Sequence, residues 1–312
     1  SSTSRGLGDV YKRQGVDTAR TMVTTKAERQ VVEAAAEILA EEDCRLGITH
    51  AGFAMTALPH KRIEETFWER SGGPHVTLQV SSGLGKGGAP VGVPYGSIAR
   101  MILLYLQTEA IRTGCGEVEL GRSMSAWMGR MGIATGGKNY KLVAEQARRI
   151  SACRLTFFVQ KPGVRAFENG AFVSGGMSLG PLDTTGQGSL WQEKVKLDDN
   201  FLRSLRDHPV PVREEALRII GTKSMAIDIY IWLAYRLHVL SKPTPISWLS
   251  LHNQFGGGFA QVKHFKPTFN DALTLAMAVY PEARVDIEME GLVLHPSPPA
   301  IPKVEMARLG LG

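Results

Sequence analysis

Four cations and one anion share a face of one short segment. At 100° per residue, Asn139–Ala152 and its approach put Lys138, Lys141, Glu145, Arg148 and Arg149 on one side of a helix. Tyr140, Val143, Gln146, Ala147 and Ile150 fall on the other side, as a buried stripe. Lys and Arg on such a face neutralise phosphate oxygens, and an Arg fork matches the O6 and N7 edge of guanine. Asn139 adds an amide at the helix start, Arg154 follows its end, and Lys161 and Arg165 fall on the tip of the next strand pair, placed to reach an adjacent groove. A weaker face of the same kind follows, with Lys263, His264, Asn270 and Thr274 outward beside Asp271, and Phe265, Phe269, Leu273, Ala276 and Tyr280 inward. Pro267 is compatible only with a first helical turn, which puts the start of this helix near Lys266. Spacing alone leaves a bland alternative open, because any amphipathic helix solvates its outer face with Lys and Arg.

Enzyme signatures fail on context. Gly83-Leu84-Gly85-Lys86-Gly87-Gly88 matches GxGxxG, yet Pro90 and Pro94 stand where a helix must open, so the run reads as a flexible loop. Gly221-Thr222-Lys223-Ser224 resembles the end of a P-loop without its upstream glycine. There is no HExxH, and the eight histidines lack metal-ligand spacing. No His-hydrophobic-His motif stands near a tyrosine, which argues against a rolling-circle nickase. Cys44, Cys115 and Cys153 form no CxxC and are odd in number, so neither a disulfide framework nor a zinc module is expected, and a reducing cytoplasm fits. The expectation is a non-enzymatic chain with no catalytic residue, no metal site and no cofactor.

The elements that must carry these faces come in a regular order. Thr25–Asp43 is an Ala- and Glu-rich helix with Val31, Ala35, Ile38 and Leu39 on one side, suited to packing on the next domain or to dimerisation. His75–Val80 alternates like a strand, and Ser81–Pro90 is rich in glycine. Ser97–Thr113 is an apolar helix stopped by Gly114, Glu117–Leu120 is a short strand, and Ser123 caps a helix over Met124–Met131. A turn at Gly136 and Gly137 leads into Asn139–Ala152, and Arg154–Val159 with Phe167–Val173 reads as a hairpin. The order then repeats. Helix Ser224–Leu240, extended Thr244–Ser247, helix Trp248–Phe255, turn Gly256–Gly258 and helix Val262–Tyr280 precede a hairpin of Ala283–Glu290 with Leu292–His295.

Helix, strand, helix-turn-helix and hairpin is the order of a winged helix, here used twice. The predicted fold class is α+β and helix-rich, with tandem winged-helix domains, each a helix-turn-helix plus a β-hairpin wing. The predicted domains are 91–195 and 196–312, the second with a short tail, preceded by an N-terminal helix and mixed strand region over 15–90 that packs on the first. In the second hairpin Asp286, Glu288 and Glu290 repel phosphate, so the first domain is expected to supply more of the electrostatics.

Composition bounds the class. The 312 residues are 43% hydrophobic and 21% charged, which excludes wholesale disorder and suffices for a sizeable core. No uncharged apolar run reaches the roughly 18 residues of a membrane span, since Ile227–Leu240 carries Asp228 and Arg236. The net charge of +6 leans toward an acidic partner. Residues 1–14 resemble translated adapter sequence and hold Arg5, Lys12 and Arg13 against Asp9, so the body from Gly15 keeps +4 and a native N-terminus is expected to be missing.

Four long blocks, Val91–Ile133, Gly136–Phe157, Ser224–Leu237 and Tyr280–Pro296, resemble the plasmid-encoded RepA-type replication initiators. Pro267 and the Gly-rich Ser81–Pro90 depart from that pattern. The resemblance implies a cytoplasmic bacterial protein that binds repeated sites, iterons, at a plasmid origin and promotes origin opening. Its implied partners are double-stranded origin DNA, the host replication initiator and the replicative helicase, with a homodimer as a further assembly and no membrane. The rival reading is a winged-helix transcriptional repressor on one operator, which a single inverted repeat beside the gene favours over clustered direct repeats. A protein-interaction scaffold with no DNA target is a third, and predicts only salt-sensitive, sequence-indifferent binding.

Overall fold

The computed structural model describes residues 16–42, 44–73, 76–161, 164–174 and 194–302. In chain order the helices are α1 (Val16–Met22), α2 (Lys26–Ala40), α3 (Ala51–Met55), α4 (Gly96–Thr113), α5 (Met124–Arg130), α6 (Gly137–Ala152), α7 (Asp199–Asp207), α8 (Glu214–Ile219), α9 (Ser224–Arg236), α10 (Trp248–Phe255) and α11 (Val262–Ala278). The strands are β1 (Leu46–His50), β2 (Phe67–Ser71), β3 (Val76–Ser81), β4 (Glu117–Glu119), β5 (Arg154–Lys161), β6 (Val164–Ala171), β7 (Lys194–Lys196), β8 (Pro209–Arg213), β9 (Thr244–Ser247), β10 (Val285–Ile287) and β11 (Gly291–Leu294). The chain is α+β, as its patterning predicts. Two compact units divide it: Gly47–Val210 with Asn253–Gly258, and the chain up to Leu46 with Pro211–His252 and everything from Phe259.

In the Gly47–Val210 unit α4 is the core helix, with Ile102 and Leu106 fully buried. It ends at Gly114, whose φ of 67° is a left-handed cap that a β-carbon disfavours. Its polar residues serve the strand before it. Thr108 Oγ1 accepts the Ile48 N–H at 2.9 Å and Gln107 Oε1 accepts the His50 N–H at 2.8 Å, so these buried donors keep partners away from water. An antiparallel sheet runs β2-β3-β5-β6, with Leu78 opposite Phe157 and Val80 opposite Leu155. The expected hairpin is present as β5–β6, but β3 and β2 extend it. The short β4 stays out of this sheet and pairs with β7, Val118 opposite Val195. Ser123 caps α5 by accepting the Ala126 N–H at 3.1 Å, and Trp127 and Met128 bury its inner side.

In the other unit α2 opens with a capping box. Thr25 Oγ1 accepts the Glu28 N–H, and the Glu28 carboxylate accepts the N–H groups of Thr24 and Thr25. Those bonds, the Thr24 backbone bond first, hold the Glu28 carboxyl down at about 2. Val31, Val32, Ala35 and Ile38 form the buried stripe of α2, while Leu39, expected on it, is exposed. The helix packs on α11 and α8, elements of the later part of the chain. Helix α9 is buried from Met225 to Ala234, and Tyr230 meets Tyr280 edge-on at 6.0 Å.

Three antiparallel strands run β10-β11-β9, with Ile287 opposite Leu292 and Leu292 opposite Ile246. Trp248 fixes the hairpin tip. Its N–H donates to the Glu290 carbonyl at 3.0 Å, and its indole Nε1 donates to the carbonyls of Glu288 and Met289 at 3.3 and 3.0 Å. Helix α11 begins at Val262, ahead of the start near Lys266 that Pro267 suggests. Pro267 has no N–H to offer the Lys263 carbonyl, and both residues are exposed, so the missing bond falls on the solvent side of the helix.

Candidate nucleic-acid interface

Helix α6 follows α5 across a short turn. The Ile133 N–H donates to the Met128 carbonyl at 2.9 Å, and Asn139 Nδ2 donates to the Ala134 carbonyl at 2.9 Å. The Asn139 amide thus ties the turn to the first turn of α6. Lys138, Lys141 and Arg148 are exposed on the outer side of α6, and Arg154 is exposed where β5 begins. Four of the sequence-derived cations therefore face solvent on α6 and the strand that leaves it.

Arg149 does not. It is 3% exposed, with Nη2 2.8 Å and Nε 3.0 Å from Glu145 Oε1, and Nη1 donates to the Val93 carbonyl at 2.9 Å. Its guanidinium also lies 5.1 Å from the centre of the Tyr95 ring. Tyr95 joins the same contact: its N–H donates to Gln146 Oε1 at 2.8 Å, and its hydroxyl is 3.4 Å from both Glu145 oxygens. Burial first, then the Glu145 charge, pushes the Tyr95 phenol above its ordinary range. Arg149 and Glu145, expected on the outward face, instead staple α6 to residues 93–95. Tyr140, expected in the buried stripe, is 40% exposed. Both reversals fall at the edges of the buried arc, where a helical wheel assigns sides least sharply. The signal for the staple is the Gly92-Val93-Pro94-Tyr95-Gly96 run, which the spacing argument passes over.

On the hairpin, Arg165 pairs with Gln160 and Lys161 with Val164, beside the turn, while the side chains of Lys161 and Arg165 lie outside the described residues. In the other unit Lys263 and His264 are exposed at the start of α11. Lys266 is half-buried, its ammonium 4.9 Å from the centre of the Trp248 ring. Asn270 is half-buried with Oδ1 shielded from water. Met289 stands 86% exposed at the hairpin tip between Glu288 and Glu290, and Asp286 receives His295 Nε2 at 2.9 Å. Negative charge on this hairpin agrees with the sequence and disfavours contact with phosphate.

Among the described residues no group of three or more His, Cys, Asp or Glu side chains is placed to hold a metal ion. Burial pushes the Cys153 thiol up to about 12, the behaviour of a core thiol and not of a nucleophile. No described helix is long and apolar enough to cross a membrane.

The sequence matches the family described as plasmid encoded RepA protein over residues 93–248. In fold the chain is similar to a crystal structure of selenomethionine derivatives of domains 2 and 3 of RctB, at 10% identity and a TM-score of 0.52, covering 81% of this chain and 97% of that one. A second crystal structure of RctB domains 2–3 matches at 10% identity and a TM-score of 0.45, covering 77% and 93%. No curated protein matches the sequence.

Proposed function

Because the chain belongs to the family of plasmid-encoded RepA proteins, we propose that it is a non-enzymatic replication initiator that binds repeated duplex sites at a plasmid origin. The observation that carries this reading is the outer face of α6. Lys138, Lys141 and Arg148 stand exposed on a helix whose opposite side is stapled by Arg149, Gln146 and Tyr95. A cationic helix fixed in orientation is what groove entry needs: phosphate contacts set the register, and Arg148 is free to meet a guanine edge.

Two winged helices, one within 91–195 and one within 196–312, are the architecture we assign to this activity. The order helix, strand, helix, turn, helix, hairpin in both stretches supports it, as does the pairing of β9 with the hairpin β10–β11. The first module supplies most of the phosphate contacts through Lys138, Lys141, Arg148 and Arg154. The second adds Lys263 and His264, while its acidic hairpin stays away from the backbone. Once bound in the cytoplasm, the protein promotes origin opening and brings in the host initiator and the replicative helicase.

Selection of random duplex DNA with the full chain, followed by salt-titrated anisotropy, tests the reading. Two modules on one face cover about two helical turns, so one asymmetric site of about 20 bp is expected. Six to eight phosphate contacts give a slope of log K against log salt of about −5 to −7. Recovery of a palindrome assigns the chain to operator repression instead. A slope near −2 removes the two-module mode, and absence of any enriched sequence removes DNA recognition altogether.

A further inference from the structure

Resting on the DNA reading above, we infer that Tyr140 and Ala144 form an apolar base-reading edge on α6, and that this edge selects thymine through its C5-methyl group. The side chains able to read bases from α6 are few, and several are engaged. Glu145, the group that would accept from a cytosine amine, is held by Arg149 at 2.8 Å. Asn139 spends one of its two amide N–H donors on the Ala134 carbonyl, which ties its side chain to the turn. Arg149 is buried against Val93. What faces outward is Arg148 and Lys141, and beside them the exposed Tyr140 and the half-buried Ala144.

Tyr140 and Ala144 are four residues apart and so are neighbours along the helix surface. A large ring next to a methyl-sized side chain leaves a shallow apolar step against which a thymine methyl packs, and that methyl is present on only one of the four bases in the major groove. The Tyr140 ring is 40% exposed, and among the described residues its side chain has no ring, cation or hydrogen-bond partner. A ring that merely filled the core would lie with Val143 and Ala147, which are fully buried one and two turns further along the helix.

Replacing each thymine of the selected duplex in turn by deoxyuridine removes only the methyl group. For the full chain, affinity is expected to fall about fourfold at one or two adjacent positions, the worth of one buried methyl. Tyr140→Ala is expected to bind the thymine and uracil duplexes equally there while keeping the wild-type salt slope, and Tyr140→Phe is expected to discriminate like the wild type. If the wild type ignores the methyl at every position, or if Tyr140→Ala keeps the discrimination, the thymine edge is overturned while site-specific DNA binding stands. If the wild type selects no sequence at all, both readings fall together.

Discussion

The Arg149 guanidinium occupies the space into which any side chain at Gly92 would grow: a β-carbon there comes 2.1 Å from Nη1. Gly92 also holds a φ of 91°, and its N–H donates to Ser82 Oγ at 2.8 Å. The next residue, Val93, supplies the carbonyl that Arg149 binds. The segment leading into α4 and the inner side of α6 are thus fitted to one another through one glycine and one arginine. This contact fixes how the cationic face is presented.

Gly92→Ala tests that fit. The new methyl displaces a guanidinium, whose flexible stem lets it move, but only by breaking its bonds to Val93 and Glu145. The left-handed backbone adds strain of its own. A loss of roughly 1–3 kcal/mol is expected from the backbone alone. The urea midpoint should drop with an unchanged m-value, and DNA affinity should fall at temperatures where the variant is still folded.

Arg148 and Arg149 are adjacent in sequence and should behave in opposite ways. Arg149→Ala removes the partner of a half-buried carboxylate and of a backbone carbonyl, at a cost of about 1–3 kcal/mol of stability. Arg148 is exposed and has no hydrogen bond or ion pair among the described residues, so with Arg148→Ala stability should stay within about 0.5 kcal/mol. Its duplex affinity should fall by about 1–3 kcal/mol, with relaxed preference at one base pair. Chemical denaturation and anisotropy on both variants check the pair, and equal stability losses would remove the assignment.

Local pattern made the helices and turns legible. Gly114 and Ser123 announce helix ends through backbone freedom and side-chain capping that act within a few residues, and α5, α6, β9 and α10 fall where periodicity puts them to within a residue or two. The same locality explains what was hidden. That β3 joins β5, or that β4 turns to β7 and not to the hairpin, is decided between residues roughly 75 positions apart, and no window along the chain contains both partners. Stretch Asp199–Ile219 holds two helices and a strand; its signals, Asp198 capping α7 and the buried Phe201, Leu202 and Leu205, are ones the spacing argument passes over. At the site, the outer cations were readable from spacing. The sides taken by Arg149 and Tyr140 were not, because each lies at the margin of the buried arc; for Arg149 the Val93 carbonyl, outside the helix, decides the outcome.

The glycine-rich loop has a structural use that a nucleotide motif does not explain. A β-carbon on Gly83 would lie 2.0 Å from the carbonyl oxygen of Ala152 at the end of α6, an atom fixed by the backbone. On Gly85 it would meet only ordinary contacts, at 3.4 Å or more. Gly83→Ala is therefore expected to lower the melting temperature by several degrees, as a steric change of about 1–3 kcal/mol would. Gly85→Ala should melt like the wild type. Parallel thermal scans separate a packing role at Gly83 from general loop flexibility, which predicts equal effects at the two positions.

Acid should weaken the Gly47–Val210 unit through His60. The ring is half-buried, with Nε2 3.2 Å from the Phe255 carbonyl and Nδ1 3.5 Å from Arg100 Nη2. Burial first, and then the Arg100 charge, lowers its pKa from 6.5 to about 3. Between those two values the unfolded chain binds a proton that the folded chain refuses. Stability from this group is therefore complete above pH 6.5 and declines as the pH falls toward 3. The largest slope one proton allows is about 1.4 kcal/mol per pH unit. Urea midpoints measured from pH 7 down to pH 4 should show this decline in the wild type and a shallower one in His60→Phe, which has nothing to protonate at that position. Parallel profiles for the two proteins would show that the acid sensitivity lies elsewhere.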